Sequence, residues 1–293
     1  MKAARLLILL TLSLSSATAA EPFRPNLGPD LPWITVTCGD VTLLLRRETQ
    51  WTPGRIDFRG KPMTTEKSAY GTVFSFPGVG FIGTAHLENE PEPLTSVTFE
   101  LDGKELATPA AELSGQTFRF VRESVIRGIR LRCEFVLRDN QLHETTTFST
   151  TEAVPLKLVY HFMHAWQPSM SEYLAGIDAA PDEAIGGPLE NDQAADRKFY
   201  IQRRVDWMAV YEPAIGQYAV SRLVVAPESG GHISMLWNAL GAYRKYYLRC
   251  FTDETVPAGF SGTWRMVTGF GAAGAGEWKA GARAQAEALK ESE

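Results

Sequence analysis

Along most of this chain apolar and polar residues alternate with a period of two, the pattern of half-buried β-strands. The clearest stretch is TFRFVRESVIRGIRLRCEFVLRDNQLHETTTFST, residues 117–150. There Leu131, Cys133, Phe135 and Leu137 fall on one face, and Arg130, Arg132, Glu134 and Arg138 on the other. Asp139-Asn140 supplies a turn, and a threonine-rich strand returns. The same pattern predicts two strands in 34–47 turning at Gly39-Asp40, then strands at 55–60 and 71–76. A hairpin follows in 96–106, turning at Asp102-Gly103. Further strands are expected at 156–166, 198–211, 217–225, 232–238, 243–251 and 262–270.

Two segments depart from the alternation. Residues 167–196 are dominated by Pro, Gly, Ala, Asp and Glu and read as a long functional loop or a short helical insertion. The end, GEWKAGARAQAEALKESE, is rich in helix formers and reads as a short terminal helix. Many strands of modest length with few helices predict an all-β fold, a large antiparallel β-sandwich with a short C-terminal helix. No repeat, low-complexity tract or linker interrupts it, so residues 21–293 read as a single β-sandwich domain.

The first twenty residues stand apart. MKAARLLILLTLSLSSATAA has a basic start, an apolar run from Leu6 to Leu12 and small residues at its end. That is the layout of a secretory signal peptide, too short for a spanning helix. A periplasmic or secreted location is expected, with no membrane association after cleavage. The formal net charge of −5 becomes −7 once Lys2 and Arg5 leave. No Lys/Arg cluster offers a nucleic-acid face. Cys38, Cys133 and Cys250 are too far apart for a zinc knuckle or a CxxC motif, and three buried thiols are expected. No cofactor or metal is called for.

The chemistry centres on YHFMHAW, residues 160–166. Regular pleating puts His161 and His164, three apart, on opposite faces. A shared metal would need a bulge, and no third ligand sits at a recognisable spacing. His161, beside Val159 and Met163, reads as a core histidine. His164 lies two residues before Trp166 at a strand end, where an indole can cover a sugar ring and an imidazole can move a proton. Elsewhere Arg55, Asp57 and Arg59 alternate along one strand, Glu66 and Tyr70 follow in a polar turn, and His86 shares a face with Glu88. His143 and Glu144 point opposite ways. No G-x-S-x-G motif is present, which argues against a serine hydrolase.

The threonine-rich strand ETTTFSTTEAVPLKL, followed by an apolar strand ending His164-Ala165-Trp166, resembles the galactose mutarotase-like proteins, whose members carry a histidine followed by an aromatic at this point. ETVPAGFSGTWRM, with Pro257, Gly259 and Ser261, resembles the family's P-G-x-S turn into a closing strand. The resemblance spans residues 33–270. It implies a β-supersandwich with a concave, aromatic-lined sheet that binds carbohydrate. In the family's epimerases a histidine acts as general acid on the ring oxygen, and a glutamate on a late strand takes the anomeric proton. By order along the chain, Arg55 and His86 match an early arginine and second histidine.

The late strand departs from that pattern. It reads AYRKYYLRCF and holds no carboxylate; Arg244, Lys245, Tyr247 and Arg249 stand there instead. The base then has to come from elsewhere, such as Glu212 or Tyr247. The expected site is a common hollow in which His164, Glu212 and Tyr247 move protons while Arg55, Tyr70, His86, Trp166 and Arg244 hold a mono- or polysaccharide. Two alternatives stay open. Tyr, His and Arg acting on a uronate polymer would make a polysaccharide lyase, and sugar affinity without turnover would make a binding module.

Overall fold

A computed structural model describes residues 27–66, 71–86 and 88–291. The predicted signal peptide and Tyr70 lie outside the described residues. The strands assemble into two layers. One layer is a ten-stranded antiparallel sheet in the order Ala180–Pro188, Glu172–Ile177, Trp207–Glu212, Gln217–Val225, Ser261–Ala272, Gln141–Thr150, Ile129–Arg138, Thr117–Ile126, Leu94–Leu101 and Lys104–Glu105.

The facing layer contains two sheets. A six-stranded sheet runs Phe199–Arg203, His232–Ala239, Tyr243–Cys250, Leu158–Trp166, Val73–Phe76 and Gly80–Gly83. A five-stranded sheet runs Lys61–Pro62, Pro53–Phe58, Val41–Arg46, Trp33–Cys38 and Glu112–Gly115, the last pair parallel. A bridge between Thr64 and Trp166 joins these two sheets.

Aromatic side chains fill the space between the layers. Phe58 of the five-stranded sheet stacks on Phe270 at 5.8 Å between centroids. Phe74 meets Phe148 edge-on at 5.3 Å, and Phe148 lies flat against Trp264 at 5.1 Å. Cys38, Cys133 and Cys250 are buried free thiols in this core. The hairpin turns follow from residues that tolerate positive φ: Asp102 and Gly103 at +49° and +77°, Asp139 and Asn140 at +51° and +56°.

The helix Trp278–Ala288 covers the outer face of the ten-stranded sheet. Trp278 stacks on Tyr211 at 4.9 Å, Ala282 and Ala286 are fully buried, and Arg222 donates to the Ala286 carbonyl at 3.1 Å.

Two segments differ from the sequence expectation. Within 167–196 there is a hairpin, Glu172–Ile177 with Ala180–Pro188, in place of the expected loop or helix. Pairing with Trp207–Glu212 overrides the weak strand propensity of Gly, Pro and Asp, and the charged, glycine-rich outer strand forms a sheet edge. The stretch 198–211 is two strands rather than one. Phe199–Arg203 belongs to the six-stranded sheet and Trp207–Glu212 to the ten-stranded one, so the chain changes layer between them.

Candidate functional site

The histidine strand, Leu158–Trp166, pairs with the tyrosine strand, Tyr243–Cys250. Val159 lies opposite Cys250 and His161 opposite Leu248. A regular ladder would next bring Met163 opposite Tyr246, but His164 takes that place. One extra residue is therefore accommodated as a bulge, with Phe162 in the left-handed region at φ +54°. The bulge reverses the parity expected from spacing alone, and both imidazoles face inward with no solvent exposure.

Between the layers the two histidines join separate polar groups. His161 Nδ1 is 2.9 Å from the Thr72 hydroxyl, which donates onward to Thr146 at 3.1 Å. Burial pushes the His161 imidazole down to about 3, so it is neutral. His164 Nε2 is 2.6 Å from Glu144 Oε2, and its Nδ1 is 3.3 Å from Ser221 Oγ, which in turn meets Thr268 at 2.9 Å. Serine, histidine and carboxylate thus lie in line, but all three are sealed in the interior. Among the described residues, no cluster of three or more His, Cys, Asp or Glu side chains is placed to hold a metal ion.

The expected hollow does not form, because the tyrosine strand alternates. Trp166 and Arg244 face each other across the pair of strands and are both buried on the inner side with His164. Arg244 donates to four acceptors: the carbonyls of Met170 at 3.3 Å, Glu190 at 2.8 Å and Leu189 at 3.2 Å, together with Asn238 Oδ1. It fastens the chain around 170–190 to the sheet. Glu212 is buried at the start of the turn into Gln217–Val225, where Oε1 accepts from the Ala214 amide at 3.2 Å. It sits on the ten-stranded sheet, apart from the tyrosine strand.

The outward face of the six-stranded sheet gathers Tyr247 and His86 with Lys245, Tyr160 and Trp237, which the expected site did not include. Lys245 points out between Tyr243 and Tyr247, and its ammonium lies over three rings: Tyr160 at 4.6 Å, Tyr247 at 5.0 Å and Trp237 at 6.0 Å. Burial lowers this ammonium to about 8, while the ring faces attract the charged form. Tyr160 and Tyr247 stand 5.3 Å apart between centroids. The Tyr160 hydroxyl hydrogen-bonds His86 Nε2, and His86 Nδ1 is 2.6 Å from Glu88 Oε1. Desolvation raises the Tyr160 and Tyr247 phenols, so both carry their protons at neutral pH. The face thus offers one phenol wired to an imidazole and a carboxylate, and a second phenol 5.3 Å away beside Arg249.

At one end of this face a pocket of about 580 Å³ is lined by Arg55, Thr65, Glu66, Gln167 and Tyr243. Arg55 is held by Asp57 at 2.7 and 3.0 Å and by Glu66 at 2.8 Å, which raises its pKa, mainly through Asp57. A further pocket of about 500 Å³, lined by Phe76, Arg127, Glu152 and Pro155, lies at the opposite end of the histidine strand and holds none of these groups.

Strand parity is the signal that finds Lys245 and Tyr160. Positions 243, 245, 247 and 249 share a face, and Arg244 does not. The bulge at Phe162 has no comparable signal in YHFMHAW.

The layered architecture has the fold of the galactose mutarotase-like β-sandwiches, and the likeness is one of fold. The Slr1438 protein from Synechocystis sp. PCC 6803 superimposes with a TM-score of 0.53 at 12% identity, covering 86% of this chain and 100% of that one. A galactose mutarotase-like protein from Lactobacillus casei ATCC 334 gives 0.50 at 9% identity, with 82% and 100% covered. The α-N-acetylgalactosaminidase NagBb from Bifidobacterium bifidum gives 0.52 at 8% identity over 88% of this chain and 39% of that one. No protein-family model and no curated protein matches the sequence.

Proposed function

We propose that this protein binds a carbohydrate on the outward face of the six-stranded sheet and moves protons on it through Tyr247 and the Tyr160–His86–Glu88 relay. One observation carries the reading: the partly exposed rings of Tyr247, Trp237 and Tyr243, backed by the buried Tyr160, form an aromatic floor on which polar groups converge. Flat apolar rings cover the C–H faces of a pyranose, and the polar groups between them fix its hydroxyls. The fold supports the reading by analogy, since the solved structures it resembles include a galactose mutarotase-like protein and a glycosidase.

The chemistry follows from the two phenols. Neutral Tyr247 can give a proton. His86, oriented through Nδ1 by Glu88, can take one from Tyr160 at Nε2 as that phenol accepts a substrate proton. A sugar between them would have one proton supplied and one removed, as ring opening or epimerisation requires. Buried His164 lends the fold its interior polar layer. The leader-like first twenty residues support work outside the cytoplasm.

The test is a screen of soluble mono- and polysaccharides that follows binding by calorimetry and turnover by product analysis. Binding should weaken at least tenfold in Tyr247→Ala and Trp237→Ala and persist in Trp33→Ala, which removes an exposed tryptophan of the five-stranded sheet. Turnover should vanish in His86→Ala and Tyr247→Phe. Absence of any sugar affinity, or equal losses in all three binding variants, would overturn the proposal. Affinity without turnover would reduce it to a binding module.

A further inference from the structure

The outward face carries positive charge that the protein leaves uncompensated. Lys245 has no hydrogen bond or ion pair among the described residues; its contacts are the three rings. Arg249, on the same strand, has no ion-pair partner there either, and its Nε is buried without an acceptor. Arg130, Arg138 and Arg265 of the ten-stranded sheet also have no ion pair among the described residues, but none of them lies over an aromatic ring, as Lys245 does over three. Many other surface cations are paired. On the ten-stranded sheet Arg119 meets Glu134 at 2.8 Å and Glu100 at 3.4 Å, and Arg132 meets Glu134 at 2.6 Å. Arg59 pairs with Asp40, Arg127 with Glu90 and Arg222 with Asp178. On the outward face the nearby carboxylate is Glu88, and His86 engages it.

Holding a cation half-buried without an anion is costly; the rings return part of that cost for Lys245, and an arriving anion recovers more. Lys245 and Arg249 share the parity of one strand, so both heads project on the side where Tyr160, Tyr247 and Trp237 form the floor. We infer that Lys245 and Arg249 anchor the carboxylate of an acidic sugar, so that the ligand of this face is a uronate residue or uronate-containing polymer. This rests on the carbohydrate reading above and narrows it. The rings cover the apolar face of the pyranose while the cations hold its C6 carboxylate. A neutral hexose would leave both cations as they are and gain only the stacking contribution.

The experiment compares polygalacturonate oligomers with the same oligomers after carboxyl reduction, which keeps size and linkage and removes the charge. Affinities are measured for the wild type, Lys245→Met, Arg249→Met and Tyr247→Ala, with folding checked by thermal melting. The wild type should prefer the acidic oligomer at least tenfold. Each Met variant should lose most of that preference while its affinity for the reduced oligomer stays within about twofold. Tyr247→Ala should weaken both ligands. Equal wild-type affinity for the two oligomers would overturn the uronate anchor and leave carbohydrate binding standing. So would an acidic preference that survives both Met substitutions. Failure to bind either oligomer, with neutral sugars bound elsewhere in the screen, also removes the anchor; failure of every sugar removes both readings.

Discussion

His161 and His164 share the inner face of one sheet although they are three positions apart, because Phe162 takes a left-handed backbone and the strand carries one extra residue there. Without that bulge His164 and Trp166 would turn outward and His161 would remain inside. The bulge therefore decides which groups form the interior polar layer and which face is left to Lys245 and its rings.

Phe162 should invert the ordinary ranking of alanine and glycine in strands. Its ring is buried, so either truncation removes packing and costs about 3 kcal/mol or more. A left-handed backbone costs a non-glycine residue about 1–2 kcal/mol, and glycine escapes that cost. Urea unfolding should find Phe162→Gly more stable than Phe162→Ala by roughly 1 kcal/mol. The reverse order would mean the bulge does not hold Phe162 in this conformation.

The His164–Glu144 contact should act on stability and not on ligand affinity. Both side chains are sealed, so His164→Ala strands a buried carboxyl and opens a cavity. A loss of about 3–5 kcal/mol is expected. The double variant His164→Leu with Glu144→Leu removes both partners and should recover part of the loss. At temperatures where His164→Ala remains folded, its affinity for the wild type's sugar should match the wild type.

Arg244→Met should loosen a segment, since it leaves the carbonyls of Met170, Leu189 and Glu190 without their guanidinium donor. A cost of about 3 kcal/mol is expected. Limited proteolysis should show new cuts within 167–198 before any elsewhere. Arg244→Lys should repair this only partly, because a point charge cannot reach every acceptor that the guanidinium holds.

Lys245 gives stability a pH dependence of definite sign. Its folded pKa is lowered by burial to about 8 from 10.5. Below pH 8 both states keep the proton and the burial cost is present in full. Between 8 and 10.5 the unfolded chain holds more protons, so stability rises with pH; above 10.5 the cost is gone. Lys245→Met should be more stable than wild type at pH 7 by about 2–3 kcal/mol, reduced by whatever the rings return, and the gap should shrink below about 1 kcal/mol by about pH 10. Urea titrations at the two pH values decide it.

The sheet architecture is legible in the sequence because alternation is local. Ile129–Arg138 and its neighbours emerge with the faces expected, and the terminal helix falls where the alanines are. The hairpin at 172–188 is not legible, because its strands are made by the partner Trp207–Glu212 and not by their own residues. The site is half legible. Tyr247 and His86 lie on the outward face, and Arg55 lines a pocket at its end. Arg244 does not join Tyr247 there, since an odd spacing puts the two on opposite faces. The inward turn of His164 depends on a backbone angle at Phe162 that composition does not announce.

Trp237, on the outward face between Lys245, Tyr243 and Phe199, is a fluorophore set in the proposed site. Trp51, Trp166, Trp264 and Trp278 are sealed in the interior, and their emission should stay constant when the surface is occupied. An arriving carboxylate would draw the ammonium off the indole and change its quenching. The molecule thus carries its own optical gauge of occupancy, readable without a label and erased by a single substitution at position 237.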